Sequence, residues 1–178
     1  LHTVNGSISI GDRGVVNSAT TVNGSVRVGD DCRAKKLSTV NGRVVIGNRT
    51  VISGDVVTVN GRIELGENAV VDGNVKNVNS QITLGRSAHV GNQVITSTGD
   101  ITLENNARVD KGIRVRESDN WFSSIFGGLF DVFSHTPVVT IGPGAQVDGE
   151  LVFEREVELK VHSTAKIGPV KGAKVQRY

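Results

Sequence analysis

The chain has 178 residues, with 20 Lys and Arg against 18 Asp and Glu and a formal charge of +2. That length suits one domain with a sizeable core, and the near-balance of charge excludes a strongly basic nucleic-acid or membrane-surface protein. The single cysteine, Cys32, excludes an internal disulfide, and no run approaches the roughly 18 to 20 apolar residues of a membrane span.

In chain order, the first feature is a repeat. The residues TVNG open at Thr3 and return at Thr21, Thr39 and Thr58, with a worn copy, NVNS, at Asn77 and TSTG at Thr96. The steps are 18, 18, 19, 19 and 19 residues. Inside each period apolar residues recur every six positions, through Val4, Ile10, Val16, Val22, Val28, Ala34, Val40, Ile46 and Ile52. After a step of seven, Val59, Leu65 and Val71 resume the rhythm, and Leu84, Val90, Leu103, Val109 and Val115 carry it on. The extra residue of each long period is placed just before the next TVN. No 3.6 period is present, and triplets such as ISI, VRV, IEL and ITL alternate as strands do.

These spacings predict an all-β fold, a single-stranded parallel β-helix or three-faced β-solenoid of about eight coils of 18–19 residues. Each coil buries its apolar side chains only by stacking on its neighbours at the strand spacing, and Ile63 and Leu84 are expected inside. The Val of each TVNG is expected to face in and the Asn and Gly to turn the corner, where they tolerate left-handed backbone. Asn5, Asn23, Asn41, Asn60 and Asn79 then stack into a ladder of amides, a structural feature rather than a repeated ligand site.

The rhythm stops after Val115. Residues 117–137 hold five of the seven aromatic residues of the chain, and Trp121, Phe122, Ile125, Phe126, Leu129, Phe130 and Phe133 fall at helical spacings. The reading is an inserted amphipathic helix, with Ser118, Asp119 and Asn120 as N-cap candidates. Its apolar face packs on its own solenoid or forms a contact surface for a second copy or another protein. Membrane association ranks last, because the segment has two aspartates and no Lys or Arg. Beyond it, Ile141, Val147 and Phe153 restore the pattern, and a looser coil follows around Val157, Leu159, Ala165 and Ile167. One solenoid domain over 1–178 is expected, with coils over 3–115 and 138–175.

The segments VVIGNRTVISGDV, LGENAVVDGNV and VVTIGPGAQVDGELVFEREVEL resemble the coils of bactofilins, the polymer-forming bacterial cytoskeletal proteins. TVNGSISI and TVNGRIEL are also similar to a broad group of adhesin-type bacterial solenoids. The bactofilin resemblance implies a right-handed coil and nucleotide-free end-to-end assembly, and the aromatic insert departs from the bactofilin pattern. The hexapeptide acyltransferases, left-handed solenoids that also step by six, are a rival resemblance, but their coils keep close to 18 residues while this chain settles at 19.

Chemistry is sparse in the sequence. An acyltransferase would need a general-base histidine, for which His89 or His135 is the nominee, and neither has a supporting motif. An outward column of Ser7, Ser25, Arg43, Arg62, Gln81 and Asp100 stacks two arginines that suit an anionic sugar or phosphate, or are ordinary solvated surface. No cofactor, metal or catalytic residue is expected. The expected function is therefore a non-catalytic structural or interaction solenoid of the bacterial cell envelope, self-assembling or adhesin-like. Its partners would be a second copy, another envelope protein or polysaccharide, and not nucleic acid. A carbohydrate-active or acyl-transferring enzyme is the alternative. A start at Leu1 and the absence of Met favour an exported chain, periplasmic or at the cell surface, with a cytoplasmic location as the alternative.

Overall fold

The computed structural model of the protein describes residues 1–117 and 135–178. These residues form an all-β parallel solenoid of about eight coils, with three short strands to a coil. One face carries Ile8–Ile10, Val26–Val28, Val44–Ile46, Ile63–Leu65, Ile82–Leu84, Ile101–Leu103, Val138–Ile141, Glu158–Val161 and Val175–Arg177, paired in that order. The other two faces are distinct from the third coil onward, as in Val51–Ile52 followed by Val56–Val57. In the first two coils they fuse into single strands, Val15–Thr20 and Arg33–Ser38, which join both faces into one 14-stranded sheet. The helix expected over 117–137, with Trp121, Phe122, Ile125, Phe126, Leu129, Phe130 and Phe133, lies outside the described residues apart from its flanks.

Each face sends two residues inward with one pointing out between them, as period-two alternation dictates. The result is six columns of stacked side chains. On the first face they run Val26, Val44, Ile63, Ile82 and Ile101, and beside them Val28, Ile46, Leu65, Leu84 and Leu103, all fully or almost fully buried. The second face pairs a narrow column, Cys32, Thr50, Ala69, Ala88, Ala107 and Ala145, with a broader one of Ile52, Val71, Val90 and Val109. Eight coils at the strand spacing make a rod roughly 35 to 40 Å long.

The long period has a different origin from the one expected. Ala34 pairs with Ile52 and Leu37 with Val56, so Lys35 and Lys36 of the second coil correspond to Ser53, Gly54 and Asp55 of the third. The added residue therefore sits at the corner between the second and third faces and not before TVN. With two residues the strand bends through this corner unbroken; a third lets the chain turn and splits the strand. Farther on, the register steps 38 positions from Ile101 to Val139, twice the 19 between Ile82 and Ile101, so the chain leaves the stack after Val115 and returns at Val138.

Left-handed backbone also lies at another corner. Arg13, Asp31, Arg49, Asn68, Ser87 and Asn106 all have φ between 54° and 60°, and Gly144 continues the column at 67°. These residues link the first face to the second, and none belongs to a TVNG copy. The strain recurs because it serves the stack: the αL residue turns its N–H toward the coil above, as in Arg49 to Glu67 O at 2.9 Å and Ser87 to Asn105 O at 2.9 Å.

Three outcomes follow from this packing. Ile63→Asp or Leu84→Asp places an unpaired charge in the fully buried columns, and loss of the β-rich circular dichroism spectrum is expected; a soluble, cooperatively melting Leu84→Asp protein would refute the register. Ile82→Ala is expected to cost about 2–5 kcal/mol in denaturant unfolding. Ser87→Gly removes αL strain and should raise stability by about 0.5–1 kcal/mol in the same assay.

Candidate functional site

The TVNG corner is the most repeated surface feature, and its residues divide the work differently from the expectation. Thr21, Thr39 and Thr58 are at most 2% exposed, while Val4 is 53% exposed and Val22, Val40 and Val59 are only half-buried. The Thr faces in, not the Val. The reason is a hydrogen bond that Val cannot make. Thr21 Oγ1 donates to Gly6 O at 2.8 Å, Thr39 Oγ1 to Gly24 O at 2.8 Å and Thr58 Oγ1 to Gly42 O at 2.9 Å, each reaching the coil below. A corner carbonyl that would otherwise be buried without a partner is thereby satisfied.

The Asn of each copy points out and donates down the rod. Asn23 Nδ2 meets Asn5 Oδ1 at 3.0 Å, Asn41 meets Asn23 at 2.9 Å, Asn60 meets Asn41 at 3.0 Å and Asn79 meets Asn60 at 2.9 Å; Thr98 Oγ1 ends the series on Asn79 Oδ1. The Gly is required by close approach and not by φ. A Cβ on Gly42 would fall inside the carbonyl of Gly24, and one on Gly61 inside that of Gly42. The worn copy is a paired change at this same contact. Where Ser80 replaces Gly, Asn77 replaces Thr, and its longer amide donates to both Gly61 O and Ser80 O while Thr96 Oγ1 donates to its Oδ1 at 2.7 Å.

The other corners carry ladders of the same kind. Between the first and second faces, Asp30 N donates to Asp12 Oδ1, Asn48 N to Asp30 Oδ1 and Glu67 N to Asn48 Oδ1 at 2.8–2.9 Å. Between the second and third, Asn74 N donates to Asp55 Oδ1 at 2.8 Å and Lys76 Nζ to Asp55 Oδ2 at 3.1 Å. Cys32, 1% exposed, belongs to the inward column and donates its S–H to Gly11 O, as Thr50 Oγ1 above it donates to Gly29 O.

Two charged clusters stand apart from the ladders. On the second face Arg108 bridges Asp110, Nε to Oδ1 at 2.9 Å, and Asp148, Nη2 to Oδ2 at 2.6 Å. His89 Nε2 lies 3.1 Å from Asp110 Oδ1 without the alignment of a good hydrogen bond. Partial burial pushes the Asp110 carboxyl up, but the hydrogen bond and positive charge of Arg108, with His89 close by, outweigh it and hold the group below its ordinary value of 3.8. The second cluster closes the stack where the chain re-enters. Asp100 Oδ1 accepts from Val138 N at 2.8 Å and meets His135 Nε2 at 3.0 Å, while Arg155 donates to Ser97 O and His135 O, both at 3.2 Å.

Of the outward column, Arg62 is paired with Glu64 at 2.6 Å and Asp100 is taken up by the re-entry cluster. Arg43 has no ion pair among the described residues. A shallow depression on the first face is lined by Val45, Glu64, Glu67, Thr83, Arg86 and Glu104, and its charges are spread over neighbouring coils. The aromatic candidates Trp121 to Phe133 lie outside the described residues. Sequence reasoning missed the Thr column, although Thr is as regular as Val in the copies. It also missed Arg155 and Asp148, whose partners are 58 and 40 positions away and whose pairing depends on the coil register.

With this geometry in hand, comparison of the chain with protein-family models, with curated proteins and with solved structures finds no match. The assignment that the coordinates support is to a class: a parallel β-solenoid repeat protein.

Two measurements check this account of the corners. Thr58→Val leaves Gly42 O without its donor and should lower stability by about 1–3 kcal/mol. A folded-state carboxyl held below 3.8 adds stability that is complete above 3.8 and lost as pH falls through its lower folded value. Thermal melts in that acid range should therefore show a smaller loss for Asp110→Asn than for the parent chain.

Proposed function

We propose that this chain is a non-catalytic structural or interaction solenoid of the bacterial cell envelope, exported to the periplasm or cell surface. Its work is done by the lateral faces and coil ends. The observation that carries the reading is the direction in which the corner chemistry points. Thr hydroxyls, Asn amides and Asp carboxylates are spent along the rod axis, one coil on the next, which builds stiffness and a repeating surface. A rod of this kind suits scaffolding, adhesion or end-to-end assembly with copies of itself. The bactofilin likeness supports assembly and a right-handed coil. The aromatic segment Trp121 to Phe133 is the proposed contact for a second copy or an envelope partner, and Arg43 beside the Asn ladder is the proposed point for an anionic polysaccharide.

The His89–Asp110 pair favours a second reading, an acyl-transferring solenoid, because a carboxylate 3.1 Å from an imidazole can orient it as a general base. The two readings separate experimentally. Sedimentation and negative-stain imaging over a range of concentrations should show ordered oligomers or fibres, weakened by Phe126→Asp. A strictly monomeric chain that hydrolyses an acyl thioester, with the activity lost in His89→Ala, would replace the scaffold by the enzyme.

A further inference from the structure

We propose that the TVNG ladder is a set of latent deamidation sites, held unreactive where one coil lies above and another below, as at Asn41 and Asn60. Asn5, Asn23, Asn41 and Asn60 are each exposed to water and each followed by Gly, the neighbour that least hinders attack of the next backbone nitrogen on the side-chain Cγ. In that reaction the Gly nitrogen bonds to Cγ and loses its proton, the Cγ–Nδ2 bond breaks and ammonia leaves. One water then opens the succinimide to Asp or isoaspartate. No oxidant or cofactor is involved.

The attack requires the Asn–Gly peptide to rotate so that its nitrogen approaches Cγ, and the stack opposes that rotation from both sides. At Asn41 the backbone N–H is bound to Val22 O at 2.8 Å and Nδ2 to Asn23 Oδ1 at 2.9 Å below. From above, Asn60 Nδ2 holds Oδ1 at 3.0 Å and Thr58 Oγ1 holds Gly42 O at 2.9 Å. Asn60 is fixed in the same way, through Val40 O, Asn41, Asn79 and the Asn77 amide on Gly61 O. Protection is geometric, because a hydrogen bond to Oδ1 by itself polarises Cγ toward attack.

Conversion has a mechanical consequence. An Asp at 41 sets a carboxylate oxygen against Asn23 Oδ1, two acceptors with no proton between them. An isoaspartate adds a backbone atom to a coil whose ladder contacts leave no slack. Modification is thus expected to destabilise its neighbours and spread along the rod.

The test is peptide mapping by mass spectrometry after incubation of the full chain in mildly alkaline buffer, native and in guanidinium chloride. Asn41 and Asn60 should convert more slowly in the native chain than in the denatured one by about tenfold or more, the ratio that a local opening free energy of about 1.4 kcal/mol supplies. Equal native and denatured rates at Asn41 and Asn60 would overturn the proposal. In Thr58→Val, the native rate at Asn41 should rise relative to that at Asn60; an unchanged ratio in a folded variant would overturn the part assigned to the Thr bond.

Discussion

The coils of this protein approach so closely at one corner that a Cβ on Gly24, Gly42 or Gly61 would strike the carbonyl beneath, and most of the structure follows from that contact. With the Cα of one Gly over the carbonyl of the Gly beneath, neighbouring coils are held in fixed register. The carbonyl then takes a donor from inside the stack, and Thr supplies it. Once the Thr side chain is committed inward, the next residue must point out and the one after it lies on the surface, in line with its copies above and below. An amide there forms a ladder with itself. Thr, Asn and Gly of the repeated tetrapeptide are thus three consequences of one spacing.

The same economy governs the other corners with different chemistry. Where the first face meets the second, the chain accepts a left-handed residue in coil after coil, including arginines and a serine, because the turn sends an N–H up to the next coil. Where the second meets the third, the corner holds two residues or three, and in the first five coils this choice alone separates the short periods from the long ones. Few side chains are left to converge on a common point. Two of the clusters that gather charge among the described residues, around Arg108 and around Asp100, lie in the coils that flank the departure of the chain at Val115 and its return at Val138. There the ladders end: Val115 and Phe153 occupy the inward column that Thr fills below.

Much of this was legible from spacing. A period of 18–19 residues divided by apolar positions leaves a three-faced coil as its physical solution, and the placement of Ile63, Ile82, Leu84 and Leu103 in the core needs only alternation. The Asn column was legible too, since residues one period apart must stack. The orientation of the TVNG corner was not. Thr and Val are both β-branched, both regular and adjacent, so a hydrophobicity pattern selects Val; the deciding term is the carbonyl of another coil, which no local pattern contains. Position of the added residue failed for a related reason, as a count between copies of a motif gives the total and not the corner that absorbs it.

The sequence by itself therefore determined the architecture, the number of coils and the faces that are buried, because periodicity and burial are properties of the repeat. Only the tertiary structure decided which way each corner residue turns, where left-handed backbone falls, and which distant charges meet. Those outcomes depend on hydrogen bonds and close contacts between coils, and these exist only once one coil lies on the next.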